Sequence, residues 1–313
     1  MANSNFLPRG KSGGYLALAI TCVVWGTTWV VSKIGIADIP ALQMASIRQL
    51  LGGSCFVLFF ILKKKLPLPN RKQFARLFTL ALLMFVFANG LSTWSLKYIP
   101  TGLSALIGAL YPLSVVIIGM FFFKTRNMNP LTLVGLLLGI TGIGIVFYQS
   151  VFQNQSPDFL FGVALSVIAM LSWSIGTLIL TKGNIQMKPY YAVGWQMVIS
   201  SVLLYIFALF THQTIPFAAI SSTAWYAIAY LVIMGSILSF VAFIYSMKHL
   251  PIAVASLYAY INPLVAMLVA AIVLNEELTV YILWGSVITL VGVFLVNYSL
   301  RQSQQKIIVE PEI

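Results

Sequence analysis

Long apolar runs alternate with short polar breaks along almost the whole of this 313-residue chain. Dividing it at polar and Pro-containing turns leaves ten apolar stretches, at 14–32, 40–62, 75–96, 101–123, 130–149, 159–180, 189–211, 223–246, 252–274 and 280–299. As helices rising 1.5 Å per residue, they have the length to cross about 30 Å of hydrocarbon. A membrane barrel would instead show segments of about 10 residues with alternating polarity. No such alternation is present. The first run follows Arg9 and Lys11 as a signal peptide would, but it continues to Ser32 with no small-residue cleavage site, so it reads as a retained first span. The expected fold is an all-α integral membrane protein with ten transmembrane helices.

The pattern repeats. The stretch LKYIPTGLSALIGALYPL from Leu96 aligns without a gap on MKHLPIAVASLYAYINPL from Met247, pairing Lys97 with Lys248, Pro100 with Pro251, Leu106 with Leu257, Pro112 with Pro263 and Leu113 with Leu264. Further on, Gly135, Gly142 and Tyr148 pair with Gly285, Gly292 and Tyr298 after a one-residue adjustment, and Trp25 pairs with Trp173 near the start of each half. This divides the chain into a terminus (1–13), a first five-span unit (14–148), a polar linker (149–158), a second unit (159–299) and a tail (300–313). Because five is odd, the second unit should insert upside down. Inverted repeats of this kind are common in secondary transporters, where two equivalent halves exchange roles around a central site.

Composition supports the membrane reading. The chain is 60% hydrophobic and 8% charged, far below the roughly 25% charge of soluble domains. Its net charge of +12 would suggest nucleic acid in a soluble protein, but here it follows from the collection of Lys and Arg in cytoplasmic loops, and no nucleic-acid partner is expected. Fifteen basic residues fall on one side: Arg9, Lys11, Lys63, Lys64, Lys65, Arg71, Lys72, Arg76, Lys124, Arg126, Lys182, Lys188, Lys248, Arg301 and Lys306. Only Lys33 and Lys97 fall on the other, so both termini are expected in the cytoplasm and the protein in the cytoplasmic membrane. Cys22 and Cys55 lie inside apolar runs and suggest neither a metal site nor a disulfide framework. No cofactor or metal is expected.

The remaining basic residue, Arg48, stands inside the second span. A charge there costs at least about 2.5 kcal/mol on insertion scales and needs a compensating reason. No Asp, Glu or His occupies any span to pair with it. Two readings stand: Arg48 bonds backbone carbonyls and locks the bundle, or its guanidinium holds an anionic substrate group through paired hydrogen bonds. Pro112 and Pro263 sit at the middle of the fourth and ninth spans, each freeing the carbonyl four residues earlier, at Gly108 and Ala259. They are candidate hinges, or else kinks needed only for packing. Gly135-x-x-x-Gly139, with Gly142 and Gly144, fits a dimer face, but packing inside one bundle is the favoured reading and leaves the oligomeric state open.

Together these residues resemble the drug/metabolite transporter superfamily, specifically its EamA-like family. The resemblance rests on WGTTWVVSKIG closing the first span, an Arg in the second, Pro-centred fourth and ninth spans, and VLNEELTVYILWGSVITLVGVFLV at the end, and it covers roughly residues 14–299. It implies a ten-helix bundle of inverted repeats that exports small organic metabolites, often amino acids, by alternating access through a central cavity. Three departures stand out. Where the family commonly has a Gly-Glu pair the first half reads FKTRN, so Thr125 replaces the acid and only Glu276 or Glu277 can serve its capping role. Trp173 is followed by Ser174 rather than Gly, and Gln196 stands at the repeat position of Arg48. The two halves are chemically unequal.

The expected substrate-contacting residues are Arg48, Trp25, Trp29, Asn89, Trp94, Tyr111, Trp173, Gln196, Tyr258 and Asn262, with Thr28, Ser92 and Tyr260 as further candidates. Aromatic residues among them serve equally well as interface or core residues. Lacking an intramembrane carboxylate or histidine relay, the chain is expected to work by facilitated movement or exchange. Enzymatic function finds no constellation of nucleophile, acid or metal ligands. A carrier for nucleotide sugars or lipid-linked sugars, more highly charged substrates, would need more cavity cations than one. A non-transporting membrane subunit would not need matched Pro residues at mid-span.

Overall fold

The computed structural model describes residues 10–123, 130–153, 157–182, 186–255 and 257–309. Among them the structure is helical with no strand. The elements are α1 (Lys11–Gly35), α2 (Ala41–Lys64), α3 (Arg71–Ser95), α4 (Thr101–Ala109 and Tyr111–Phe123), α5 (Pro130–Gln153), α6 (Pro157–Lys182), α7 (Pro189–Phe210), α8 (Ser222–His249), α9 (Ile252–Ala255 and Tyr258–Leu274) and α10 (Val280–Val309). Among the described residues nine of these are long and apolar enough to span a membrane, and α9 contributes a shorter apolar helix, Tyr258–Leu274. Thr125, Lys124 and Arg126 lie outside the described residues.

Local chemistry sets the helix ends. Asn70 and Gln73 form a reciprocal capping box at the start of α3, and Ser221 caps α8 through the Ala224 N–H. Lys65 and Asn275 end α2 and the ninth helix in left-handed conformation. α5 continues to Gln153 and α10 to Val309, through segments that read as linker and tail in the sequence.

Contacts between loops define two ends of the bundle. At one, Gln73 donates to the Gln186 carbonyl, Tyr191 donates to Pro67, and Gly14 lies against Leu250. At the other, Gln43 pairs twice with the Ile215 backbone at 2.8 Å, and Ser221 donates to Asp38 at 2.6 Å. Both ends of the described chain lie at the first, here called the terminal end.

Small residues bring the helices into close contact. A Cβ on Gly142 would lie 2.4 Å from the Thr289 backbone nitrogen, and one on Gly292 2.4 Å from that of Gly139. Gly135 and Gly142 of α5 are therefore spent on α10 and Gly139 on Leu113 of α4, packing inside the bundle as favoured from sequence, while Gly144 faces open space. α2 and α7 meet likewise, with Gly53 and Gly194 facing each other's backbones. Large apolar side chains such as Leu62, Leu137, Ile272 and Trp284 point outward, where lipid supplies their solvent.

The third helix of each half carries a wide π-type segment, Ala81–Gly90 in α3 and Leu231–Leu238 in α8. Hydrophobic periodicity did not announce them. The two mid-span prolines behave differently. α4 breaks at Leu110, so Pro112 stands in the first turn of a new helix, where its missing N–H costs nothing. Pro263 stays inside Tyr258–Leu274, and the interruption of α9 comes earlier, before Tyr258. Aligned prolines thus sit beside breaks at different registers.

Candidate functional site

A central cavity of about 220 Å³ is lined by α1, α2, α3, α4, α6, α8 and α9. Its charged lining residue is Arg48. One turn of α2 brings Arg48 and Gln49 to the wall, while the π segment of α8 supplies Ser236, whose hydroxyl accepts from Arg48 Nε at 3.2 Å. Gly235 beside it has no room for a side chain: a Cβ would stand 2.7 Å from Thr28 Cγ2 and 3.1 Å from an Arg48 terminal nitrogen. The Gly235 carbonyl in turn accepts from Trp25 Nε1 at 3.1 Å. A π turn places an extra residue in one helical circuit and loosens its carbonyl ladder, which frees these two neighbours to hold the cavity's cation and one of its indoles. Arg48 is therefore anchored by a serine hydroxyl rather than by carbonyls released at a proline, and its terminal nitrogens form no hydrogen bond among the described residues.

The π segment of α3 provides Met84, Phe85, Ala88 and Asn89. Asn89 Oδ1 accepts from Gln49 Nε2 at 2.9 Å, so the two amides are fixed to each other. Three hydroxyls, Ser95, Ser104 and Ser166, lie within 2.9–3.0 Å of one another and join α3, α4 and α6, with Ser104 and Ser166 in the wall itself. On the terminal side Trp25 packs on Phe240, Phe243 and Tyr258 at centroid distances of 5.2–5.4 Å, giving the cavity an aromatic wall there. Beyond these rings Cys22, Leu18 and Leu250 form an apolar plug.

At the opposite end the connection between α3 and α4 is held from both directions. Lys33 of α1 donates to the carbonyls of Leu96 and Ile99. Glu276 accepts from the first N–H groups of α4, Thr101 at 2.8 Å and Gly102 at 3.3 Å. A cation meets the carbonyl end of one helix and an anion the amide end of the next, the arrangement that helix dipoles favour. The acidic residue expected to cap is Glu276, and it caps the fourth helix across the repeat boundary.

Of the residues singled out in the sequence, Arg48, Trp25, Trp29, Asn89, Tyr111, Trp173, Tyr258 and Asn262 line the cavity, as do Thr28, Ser92 and Pro263. Three do not. Trp94 is turned outward against Phe161 and Phe207 at 5.5 and 6.1 Å, because the register leaving the π segment points Ser92 and Thr93 inward instead. Gln196 is buried on α7, which lies behind α2 and contributes nothing to the wall. Tyr260 packs against α10, accepting from Asn297. Sequence reasoning missed Gln49, Thr93, Ser104, Ser166 and Ser236; the available signal was small polar residues inside apolar runs. Among the described residues no group of three His, Cys, Asp or Glu converges on a metal position.

Comparison with known proteins places this architecture. The EamA-like transporter family matches residues 12–148 and again 160–298. The uncharacterized transporter YvbV of Bacillus subtilis is 28% identical over 295 residues, 93% of each chain. A probable amino-acid metabolite efflux pump of Salmonella typhimurium is 27% identical over 301 residues, covering 93% of this chain and 96% of that one. A solved crystal structure superposes with a TM-score of 0.62 at 13% identity over 93% of this chain and 99% of the other, a likeness of fold alone. With the family pattern present twice and spanning nearly every helix, the chain belongs to the EamA-like transporter family.

Proposed function

We propose that the protein is a secondary transporter that moves small organic metabolites, amino acids or related compounds foremost, out of the cell by alternating access. The observation that carries this reading is Arg48, a guanidinium whose terminal nitrogens have no hydrogen-bond partner among the described residues, at the wall of a central membrane cavity with no carboxylate among the lining residues. An uncompensated cation in that setting favours an anionic group on the solute, and a carboxylate meets a guanidinium through two parallel hydrogen bonds. The rest of the wall is aromatic and apolar, with Met84, Phe85, Met170 and Trp173, and suits a modest apolar side chain. A single cation and about 220 Å³ of space suit such a solute better than a nucleotide or lipid-linked sugar. The efflux named for the Salmonella relative agrees with the same solute class.

The test is counterflow of a panel of radiolabelled amino acids and other small organic anions in proteoliposomes, with wild type and Arg48→Ala side by side. Wild type is expected to exchange at least one amino acid without proton flux at zero membrane potential, and Arg48→Ala to lose exchange while remaining folded. Absence of counterflow with every amino acid would reject the substrate class. Loss of thermal stability in Arg48→Ala, with ligand binding unchanged in the surviving folded fraction, would return Arg48 to a structural role.

A further inference from the structure

Among the described residues, two side-chain oxygens at this cavity have no hydrogen-bond partner. Gln49 Oε1 and Asn262 Oδ1 are buried without a hydrogen bond, although both residues line the wall. Gln49 is held firmly: it is 2% exposed, and its amide nitrogen donates to Asn89 Oδ1 at 2.9 Å, which leaves Oε1 as the atom of that amide without a partner. Asn262 sits one residue before Pro263 on α9, which crosses α1 closely enough that a Cβ on Gly26 would lie 3.2 Å from the Asn262 carbonyl. Buried polar atoms in folded proteins are normally paired, and a polar site left unpaired on its own is satisfied when a ligand supplies the missing partner. These are acceptors. Their complement is an N–H donor, and a protonated amine carries three.

Resting on the reading that Arg48 takes a carboxylate, we infer that Gln49 and Asn262 form a second subsite for the ammonium of the same solute, making the transporter selective for compounds with a free α-amino group. Gln49 follows Arg48 on the same turn of α2, so the two charges of a zwitterion would be met by adjacent residues of one helix and by Asn262 across the cavity. Uncharged acceptors suit this task in lipid. They hold an ammonium without adding a buried anion that would pair with Arg48 in the empty carrier and compete with substrate. Rings of Trp25, Trp29 and Tyr258 in the same wall add the aromatic faces that attract a cation.

The experiment uses full-length protein in proteoliposomes and three competitors of leucine counterflow: leucine, N-acetylleucine, which keeps the carboxylate and loses the ammonium, and leucinamide, which keeps the amine and loses the carboxylate. Leucine should compete best, and N-acetylleucine should be weaker by a factor on the order of 10². Gln49→Leu and Asn262→Leu, checked for folding by thermal unfolding, should lose most of that discrimination. Wild type that accepts N-acetylleucine as well as leucine, while leucinamide fails, would overturn the ammonium subsite and leave the Arg48 reading standing. Equal competition by leucinamide and leucine would instead overturn the Arg48 reading. If another amino acid of the panel is exchanged in place of leucine, its N-acetyl and amide forms replace those of leucine; no counterflow with any amino acid would overturn both.

Discussion

Arg48 shows how far one residue can be understood from its surroundings. In water its charge would need no explanation, but inside a span it does, and that much was visible in the sequence. The sequence did not show that Nε would be held by a serine from the opposite half while the two terminal nitrogens found no partner among the described residues. That depends on a π turn in α8, which leaves no trace in hydrophobic periodicity. The geometry separates charge from shape. Lysine at this position would keep the charge but lose both the Nε bond to Ser236 and the planar fork that grips a carboxylate. Arg48→Lys is therefore expected to fold and to reduce counterflow by about tenfold or more. Near-normal exchange in the lysine variant would mean that Arg48 acts only as a point charge.

At the scale of elements, what could be read from the sequence was what depends on composition along one helix. Ten apolar runs became ten helical segments because each must satisfy its backbone internally in lipid. Glycines at i, i+4 and i+7 of α5 became a contact face because the absence of a side chain lets backbones approach. What stayed hidden depends on contacts between helices: the π segments of α3 and α8, and the unequal breaks in α4 and α9 that aligned prolines alone would not suggest. The outward turn of Trp94 follows from the first of these, and the burial of Gln196 from the packing of α7 behind α2. The glycine contact can be tested within a single helix. A side chain at Gly142 must displace the backbone of α10, whereas at Gly144 nothing lies within 4 Å. Gly142→Leu should lower stability by about 2 kcal/mol or more, read as a fall in the thermal midpoint of the purified protein, with Gly144→Leu nearly unchanged. Equal effects at both sites would show that glycine itself, rather than the α5–α10 contact, is what matters there.

The whole molecule presents a central cavity whose two ends are built differently, and this asymmetry bears on how it would move. Towards the terminal end the packing is apolar: the rings around Trp25, then the cluster of Cys22, Leu18 and Leu250. At the other end the polar pair of Lys33 and Glu276 holds the α3–α4 connection. Alternating access requires the packing at one end to loosen while that at the other holds. A charge-assisted cap contributes about 1 kcal/mol, a small amount against a fold but roughly fivefold in a balance between two open states. Removing it should bias the carrier towards opening at that end, which the distribution of Lys and Arg leads us to expect on the outside of the cell. The expectation can be read with a single cysteine at Ser92, a cavity residue, in a Cys22→Ala, Cys55→Ala background. In intact cells a membrane-impermeant maleimide should label Ser92→Cys several-fold faster when Glu276→Gln or Lys33→Ala is added. Faster labelling would establish both the orientation and the role of the clasp, because only an opening at that end admits the reagent from outside. Labelling that stays unchanged in both variants, while transport continues, would show that the Lys33–Glu276 clasp stabilises the fold and does not govern access to the cavity.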